Sequence, residues 1–377
     1  MKKKLTQEIT NKLAAVRKQR ALPASALARM AGVTRQTIYS IERGSYIPNT
    51  AVGLRLARVL AVGIEDLFSL PECLEPERKS ENVTLLPSFE ELHPGQPVQL
   101  CDVGGRLMAA PSALQPWYLP ASDAVISERS FVRGKAKVHL HQPAMDFRNR
   151  LLLAGCDPAM AVLARSLQPA GIELILLHQN SSQSLSLLKR GSVHIAGTHL
   201  RDERTGELNV SAINQLFPAN SVVAISFAAW EEGLVVANGN PKHIEGMQDL
   251  ARKDIRLINR ELGAGSRFLL DSRLKQLKLD PKRVRGYHRT APGHLAAAWE
   301  VKTGAADCCI ATRTAACIFG LNFIPLESSR YDLVVRKQHL KLPGIQALFD
   351  VINRLSFRLE LNGVGGYNTA VTGGRIL

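Results

Sequence analysis

The stretch LPASALARMAGVTRQTIYSIERG at residues 22–44 restricts the fold of this chain more than any other feature. Residues 24–30 predict one short helix, and Gly32 provides a residue that tolerates the left-handed turn after it. Thr34 is a favourable N-cap for a second helix over residues 35–43. Two short helices joined by a glycine turn predict a helix-turn-helix, whose second helix lies in the major groove of DNA.

The second helix has a buried and an outward face. Ile38 and Ile41 share the buried face, and polar side chains occupy the other. Arginine reads guanine edges in the major groove, and glutamine reads adenine edges. The residues of this helix and its cap predicted to contact DNA are Thr34, Arg35, Gln36, Thr37, Tyr39, Ser40 and Arg43. A helical hairpin used for protein contacts is the alternative.

The distribution of charge agrees with a nucleic-acid partner. Residues 1–70 carry twelve Lys and Arg against four Asp and Glu, a net charge of +8. The whole chain of 377 residues has a net charge of +15. Such an excess favours polyanions through steering and counterion release. Charge alone is also compatible with a basic enzyme.

The segment VRKQRALPASALARMAGVTRQTIYSIERGSYIPNTAVGLRLARVL resembles the phage-repressor (Cro/cI, or xenobiotic-response) helix-turn-helix domain, over about residues 10–70. The resemblance implies that Arg35, Gln36, Thr37 and Ser40 occupy base-reading positions. Many members have Gln where Ala24 stands, to bind a phosphate. That contact is either absent here or supplied by Ser25. Because one such domain buries little surface, we expect a homodimer on double-stranded DNA.

The remainder of the chain predicts three further regions. Residues 71–96 are rich in proline and charge and predict a linker, and residues 97–150 contain strand-like runs that predict a small β-rich module. From residue 151 to residue 377, apolar strands alternate with amphipathic helices, which predicts an α/β domain with a largely parallel sheet. The sequence therefore predicts a multidomain protein whose N-terminal domain, residues 1–70, is all-α.

Polar loops in the α/β region predict a site for a small anion. In NRELGAGSRFLL, two glycines precede a helix whose N-terminus favours negative charge. Polar residues also follow several predicted strands, where parallel sheets bind their ligands. The predicted ligand-binding residues are Cys156, Asp157, Ser181, Ser182, Thr198, Ser266, Arg267 and His294. The alternatives are a plain helix start and a pairing of Arg267 with Asp271.

Residues 150–377 also resemble a known family. The stretches HQNSSQSLSLLKRGSVHIAGTHLRDERTGELN, GLVVANGNP, NRELGAGSRFLLD and GGYNTAVTG resemble the periplasmic-binding-protein-like domain of bacterial regulators, a type II fold. That domain is also attached to some molybdopterin-biosynthesis proteins and is distantly similar to molybdate-binding transport proteins. The resemblance implies two lobes joined by crossover strands near residues 230–240 and 328–336. It also implies a small-molecule effector in the cleft, with an oxyanion of the molybdate or tungstate type as one candidate.

The same residues argue against several other classes of protein. The six cysteines show no CxxC spacing, so we expect neither disulfides nor a metal site. His139 and His141 share a strand face without a third ligand nearby, and Trp230 either fills the core or covers a ligand. No catalytic set is complete, so we expect no catalytic residues, no enzymatic activity and no cofactor. No apolar run approaches about 18 residues, so we expect a cytoplasmic, nucleoid-associated protein without membrane contact.

The expected function is a ligand-responsive transcription regulator. Two alternatives remain open at this point. One is an enzyme or molybdenum-cofactor-related protein with an attached DNA-binding domain. The other is a DNA-bound scaffold whose cleft is vestigial.

Overall fold

The computed structural model of the protein describes residues 9–69, 79–86, 93–112, 121–129, 134–142, 146–202 and 205–377. The chain divides into two compact units, residues 1–79 and residues 80–377. Among the described residues, no helix is both long and apolar enough to cross a membrane.

The first unit packs short helices around one apolar core that includes Leu27, Ile38 and Leu56. Its elements are β1 Thr10–Asn11, α1 Leu13–Gln19, α2 Ala24–Ala31, α3 Arg35–Glu42, α4 Thr50–Leu60, α5 Ile64–Leu67 and β2 Phe68–Ser69. The strands β1 and β2 pair antiparallel, which adds a short ribbon to the predicted all-α domain. Two-residue strands are too short to leave a periodic pattern in the sequence.

The helix-turn-helix forms through the local signals seen in the sequence. Gly32 follows α2 in the left-handed region, with φ of 65°. The Thr34 side chain then accepts a hydrogen bond from the Thr37 backbone N–H at 3.1 Å, which starts α3. Ile38 and Ile41 are fully buried on its inner face. The predicted helix-turn-helix is therefore confirmed.

The second unit begins with a closed barrel, in the strand order β3-β5-β4-β6-β7. Its strands are β3 Ser80–Leu85, β4 Pro97–Val103, β5 Arg106–Pro111, β6 Ala124–Arg129 and β7 Lys135–Leu140. Strand β3 lies inside residues 71–96, so the predicted linker is wrong for this part. The composition of that segment suggests a linker, but Val83 and Leu85 alternate inward and are buried in the barrel core.

The rest of the second unit is one sheet with helices, in the strand order β13-β12-β14-β11-β15-β10-β8-β9. The first lobe contains β8 Arg150–Gly155, α6 Met160–Leu167, β9 Glu173–His178, α7 Ser181–Lys189, β10 Ile195–Thr198, α8 Val210–Leu216, α12 Pro343–Asn353 and α13 Leu355–Val364. The second lobe contains β12 Leu257–Arg260, α9 Gly265–Gln276, β13 Thr290–Ala291, α10 Gly293–Lys302, β14 Cys308–Thr312 and α11 Arg313–Phe319.

Two long antiparallel strands connect the lobes. Strands β11 Val222–Val236 and β15 Asn322–Arg336 pair along their whole length. One end of this ribbon pairs with β10 in the first lobe, and the other pairs with β14 in the second. The short strand β16 Tyr367–Asn368 adds to the middle of β11. These strands match the predicted crossover segments, although each begins several residues earlier than predicted.

The barrel contacts the first lobe through an ion pair and through a shared apolar core. Arg150, the first residue of β8, donates to Asp123 of the barrel at 2.6 Å, with Asp123 buried and Arg150 half-buried. Barrel residues such as Val103 and Met108 share one apolar cluster with Leu187 of α7. The barrel and the first lobe therefore pack as one body.

Candidate functional site

The outward face of α3 presents the residues predicted to contact DNA. Arg35 and Gln36 are exposed, whereas Thr37, Tyr39 and Ser40 are half-buried. The Arg35 guanidinium donates to the Tyr39 hydroxyl at 3.1 Å and lies 5.3 Å from the centre of its ring. Arg35 and Tyr39 are therefore paired with each other on the surface of α3.

The flanks of α3 are also accessible. Ser25, in the first turn of α2, and Arg43, directly after α3, are exposed, as is the cap residue Thr34. All three are therefore exposed, as Arg35 and Gln36 of α3 are. Contacts of these side chains with DNA remain a prediction.

One of the basic residues of the first unit has an internal role. Arg17 on α1 donates to Glu42 on α3 from Nε at 2.6 Å and from Nη2 at 3.2 Å. Its Nη1 donates to the Leu22 carbonyl at 3.0 Å. The hydrogen bond to Glu42 raises the pKa of Arg17 above its usual value. Arg17 therefore holds α3 in place, so its charge is internally paired.

In the second unit, polar side chains from both lobes meet in a buried group that we call the interlobe cluster. Its members are Cys156 and His199 of the first lobe, Glu232 of β11, and Arg260, Ser266 and His294 of the second lobe. Each is at most 2% exposed. Cys156, His199 and Arg260 follow or end strands, and Ser266 and His294 open helices, so the cluster lies where strand ends and helix starts meet.

Short distances connect its members. Cys156 Sγ lies 3.5 Å from His199 Nε2, and His199 Nδ1 lies 3.6 Å from Glu232 Oε1. Glu232 Oε1 also accepts a hydrogen bond from Ser266 Oγ at 2.9 Å and lies 4.0 Å from His294 Nε2. The ring of Trp230 packs against both histidines, with centroid distances of 5.1 Å to His199 and 5.5 Å to His294.

Two glycines allow the lobes to approach this closely. A Cβ atom on Gly265 would lie 2.5 Å from the His199 ring, and one on Gly293 would lie 2.5 Å from the His178 ring. Gly293 also has φ of 83°, which favours glycine. Across the same interface, Asn180 Nδ2 donates to the Leu262 carbonyl at 3.1 Å. The glycine-rich loop of the second lobe therefore packs directly on the first lobe.

Arg260 is the buried cation of the cluster. Its Nε and Nη2 donate to Glu261 at 3.0 and 3.1 Å. Its Nη1 is buried and has no hydrogen-bond partner among the described residues. A buried donor without a partner is costly, by about 1–3 kcal/mol and more for a charged group. Arg260 therefore offers one free, charged donor between the lobes.

Burial and Arg260 set the protonation of the neighbouring groups. Burial, helped by the charge of Arg260, lowers the pKa of His199 to about 3 and lowers that of His294 well below its usual value. Both rings are neutral at pH 7. Burial raises the pKa of Glu232 to about 7, against the hydrogen bond from Ser266. Burial raises the pKa of Cys156 to about 12, so its thiol is protonated without a ligand.

The cluster includes only some of the residues predicted for the ligand. Cys156, Ser266 and His294 belong to it, and the Ser181 hydroxyl accepts a hydrogen bond from the His199 N–H at 3.1 Å. Ser182 lies against Gly263 of the opposite lobe.

Three other predicted residues have internal partners. Thr198 contacts Asn209 at 3.3 Å, and Asp157 accepts from Tyr367 at 2.8 Å. Arg267 donates to Asp271 at 2.9 Å and stacks on Tyr287 at 4.2 Å, which is the alternative pairing considered from the sequence. The Nε of this guanidinium is therefore paired with a carboxylate at i, i+4 on its own helix.

Sequence reasoning missed His199, Glu232 and Arg260. Arg260 ends the run IRLINR, and His199 follows the run VHIAG after one intervening residue, Thr198. A charged or titratable residue at the carboxyl end of a buried strand was therefore the available signal. Glu232 lies within a long strand and left no such signal.

A cavity of about 380 Å³ reaches the cluster at His199, Glu232 and Gly265. Its outer wall includes Arg201 and Glu327, which pair at 3.4 Å. The cavity gives a small molecule a route from the surface to the buried polar atoms.

The two histidines of the barrel each lie within hydrogen-bond distance of a serine hydroxyl. His139 Nδ1 lies 2.9 Å from the Ser80 hydroxyl, and His141 Nε2 lies 3.0 Å from the Ser122 hydroxyl. Each ring thus has its own serine partner.

Comparisons with known proteins match both units. A family model described as a PBP superfamily domain matches residues 164–353, and one described as helix-turn-helix matches residues 13–67. The protein YvgK of Bacillus subtilis (strain 168) is 35% identical over 244 residues, 64% of this chain and 79% of that protein. The HTH-type transcriptional regulator YgzD of the same organism is 34% identical over 62 residues, 16% of this chain and 94% of that protein.

Solved structures resemble the second unit more weakly. The tungstate ABC transporter from Geobacter sulfurreducens has a TM-score of 0.42 at 15% identity, covering 55% of this chain and 95% of that chain. The sulfate-binding protein SubI from Mycobacterium tuberculosis H37Rv has a TM-score of 0.42 at 17% identity, covering 58% and 86%.

Proposed function

Because this chain belongs to the family of PBP superfamily domains and begins with a helix-turn-helix domain, we propose that it is a transcription regulator that binds double-stranded DNA in response to a small anionic molecule. The anion binds between the two lobes, at the interlobe cluster. The observation that carries this proposal is the free Nη1 donor of the buried Arg260 guanidinium.

On DNA, α3 enters the major groove with its exposed N-terminal end toward the bases. Gln36 and Arg35 are the most accessible side chains there, and they are the residue types that read adenine and guanine edges. A second copy of the chain reads a second half-site, about 34 Å or a multiple of that distance away.

An anion suits the cluster for electrostatic reasons. Arg260 provides a charged donor that is already oriented by Glu261. Helices α9 and α10 both begin at the cluster, and the N-terminus of a helix favours negative charge. The neutral histidines add N–H donors without adding charge. Oxyanions such as molybdate and tungstate are the first ligands to test, followed by small organic acids.

An enzymatic role has one observation in its favour. Cys156, His199 and Glu232 lie in the order nucleophile, base and carboxylate, as in cysteine hydrolases. Two features oppose it. The distance of 3.6 Å between His199 and Glu232 exceeds hydrogen-bond reach, and burial raises the pKa of the Cys156 thiol to about 12. A reactive cysteine needs a lowered pKa. We therefore propose binding without catalysis.

The anion proposal is tested by calorimetry and thermal unfolding of the full chain with molybdate, tungstate, sulfate, phosphate and small carboxylates. A true effector at 100 times its Kd stabilises the protein by about 2.7 kcal/mol. Arg260→Gln removes the charged donor and is expected to weaken binding by about 2–5 kcal/mol. Arg267→Gln is the matched control, because that guanidinium pairs with Asp271. Equal losses in both variants, or no ligand at all, would sink the proposal.

A further inference from the structure

We propose that Cys156, His199 and His294 form a binding site for a thiophilic divalent metal ion of the zinc class. The site lies within the interlobe cluster and joins the two lobes. The inference rests on the proposed function only in taking this cleft as the effector site. It adds a metal ion to the proposed anion in the same cleft, and this ion is bound by different atoms and is tested separately.

The positions of three side-chain atoms support a metal ion. The Cys156 sulfur and one nitrogen each of His199 and His294 lie within 4.8 Å of one another, and all three residues are buried. The sulfur is already 3.5 Å from His199 Nε2. Tetrahedral zinc, with bonds of about 2.0–2.3 Å, holds its ligand atoms about 3.5 Å apart. The three atoms therefore need to close only from within 4.8 Å to about 3.5 Å to reach the spacing of zinc ligands.

The histidines lack the hydrogen bonds that buried imidazoles normally make. Neither nitrogen of His294 has a partner among the described residues, and His199 Nδ1 also has none. By contrast, the buried ring of His194 accepts a hydrogen bond at Nδ1 from the Leu152 N–H at 3.1 Å. Each unpaired buried group costs about 1–3 kcal/mol. A metal ion that takes the lone pairs of His199 and His294 removes part of this cost.

The ligand types and the nearby charges select the kind of ion. Thiolate and imidazole ligands favour zinc-class ions over calcium or magnesium. Arg260 opposes a lone cation, but Glu261 pairs with it, and a thiolate at Cys156 with a carboxylate at Glu232 balances a doubly charged ion. The cluster therefore contains the negative groups that a divalent ion requires.

Three protein ligands leave one position of a tetrahedral ion open. An anion can bind at this position while Arg260 donates to it, so the ion and the proposed effector stabilise each other. The cavity that reaches His199 gives access to the site. Because its ligands come from both lobes, the bound ion holds the lobes together.

The test uses the full chain, reduced and stripped with EDTA, and titrated with Co²⁺ and Zn²⁺ as probes. We expect one ion per chain and a thiolate-to-Co²⁺ charge-transfer absorption. Cys156→Ser removes that absorption, and both Cys156→Ser and His294→Gln weaken binding at least tenfold. Cys317→Ser is the control, because this thiol is exposed on α11 and leaves the proposed ligands untouched. Its absorption and affinity are expected to match those of the wild-type chain.

A wild-type chain that binds no Co²⁺ overturns the inference, as does a Cys156→Ser variant that keeps the absorption. The anion titration is repeated on metal-free protein, so that failure of the metal proposal can be distinguished from failure of the anion proposal. An oxyanion that binds without metal and depends on Arg260, with no Co²⁺ binding, leaves the proposed function standing alone. One Co²⁺ per chain with no anion binding in either state supports the metal site and removes the anion.

Discussion

The helix-turn-helix and the interlobe cluster are both polar surfaces, but they are assembled in opposite ways. Most of the DNA-facing side chains come from one short helix and the residues that flank it, with Ser25 added from α2, and most of them are in contact with solvent. The six members of the cluster come from six separate places in the fold, at or next to β8, β10, β11, β12, α9 and α10, and every member is buried. A polar side chain in water is already satisfied, whereas a buried one depends on its neighbours. The effects of substitutions on α3 should therefore be additive. Those of substitutions in the cluster should not be additive, because its members share partners.

The sharpest test of this comparison is to unfold one unit alone. Ile41→Ala removes a fully buried side chain from the core of the first unit and is expected to cost about 2–5 kcal/mol of its stability. DNA binding should be lost in gel shifts. Anion and Co²⁺ binding by the second unit should be unchanged in calorimetry. A parallel loss of ligand binding would show that the two units do not fold independently.

A second test adds one methyl group between the lobes. Gly265→Ala places a Cβ 2.5 Å from the His199 ring and 2.6 Å from its backbone oxygen, so the lobes must separate. Overpacking of this kind costs about 1–3 kcal/mol, and we expect that loss in effector affinity by calorimetry. Gly363→Ala is the control, since a Cβ there meets no atom within 4 Å. Unchanged affinity in Gly265→Ala would mean that the ligand binds an open cleft.

On the DNA side, Gln36→Ala should relax sequence preference at one base position by about 1–3 kcal/mol. Competition binding with operators changed at single base pairs measures this. Stability should hardly change, because Gln36 is exposed. Equal weakening on operator and on random DNA would instead assign Gln36 to the phosphate backbone.

The smallest of these effects is expected for a substitution of Arg267, and it is an effect on the free energy of unfolding. Its ion pair with Asp271 lies at i, i+4 on α9, with Arg267 buried and Asp271 half-buried, and helix pairs at this spacing contribute about 0.3–0.5 kcal/mol. Stacking on Tyr287 adds about 0.5–1 kcal/mol. Arg267→Gln should therefore lower the free energy of unfolding by about 1 kcal/mol in urea titrations. A larger loss of unfolding free energy, together with loss of anion binding, would show that Arg267 contacts the anion.

The comparison also explains what the sequence could predict. The helix-turn-helix depends on signals a few residues apart, such as the Thr34 cap, Gly32 and the spacing of Ile38 and Ile41. The apolar runs of the α/β region likewise identify its strands. Strand β3 was missed because its segment has the composition of a linker, although Val83 and Leu85 alternate inward.

The cluster was only partly predictable, because its geometry depends on residues far apart in the chain. Two arginines, Arg260 and Arg267, flank the glycine loop. The sequence predicts that Arg267, which follows the glycines, contacts the anion. The fold buries Arg260 beside the histidines and leaves Arg267 to Asp271. The local sequence cannot show which arginine is buried beside the histidines, because Arg260 ends a strand and Arg267 lies in the first turn of a helix.

The long ribbon of β11 and β15 has a consequence for how the chain is made. The first lobe cannot complete its sheet until β15 exists, because Ile195 of β10 pairs with Val335. The whole second lobe is synthesised in between, and its own strands β12, β13 and β14 lie within that stretch. At about 5–20 residues per second, the wait is on the order of ten seconds. During that time the edges of β10 and β11 stay unpaired on the ribosome, where a chaperone or another nascent chain can reach them.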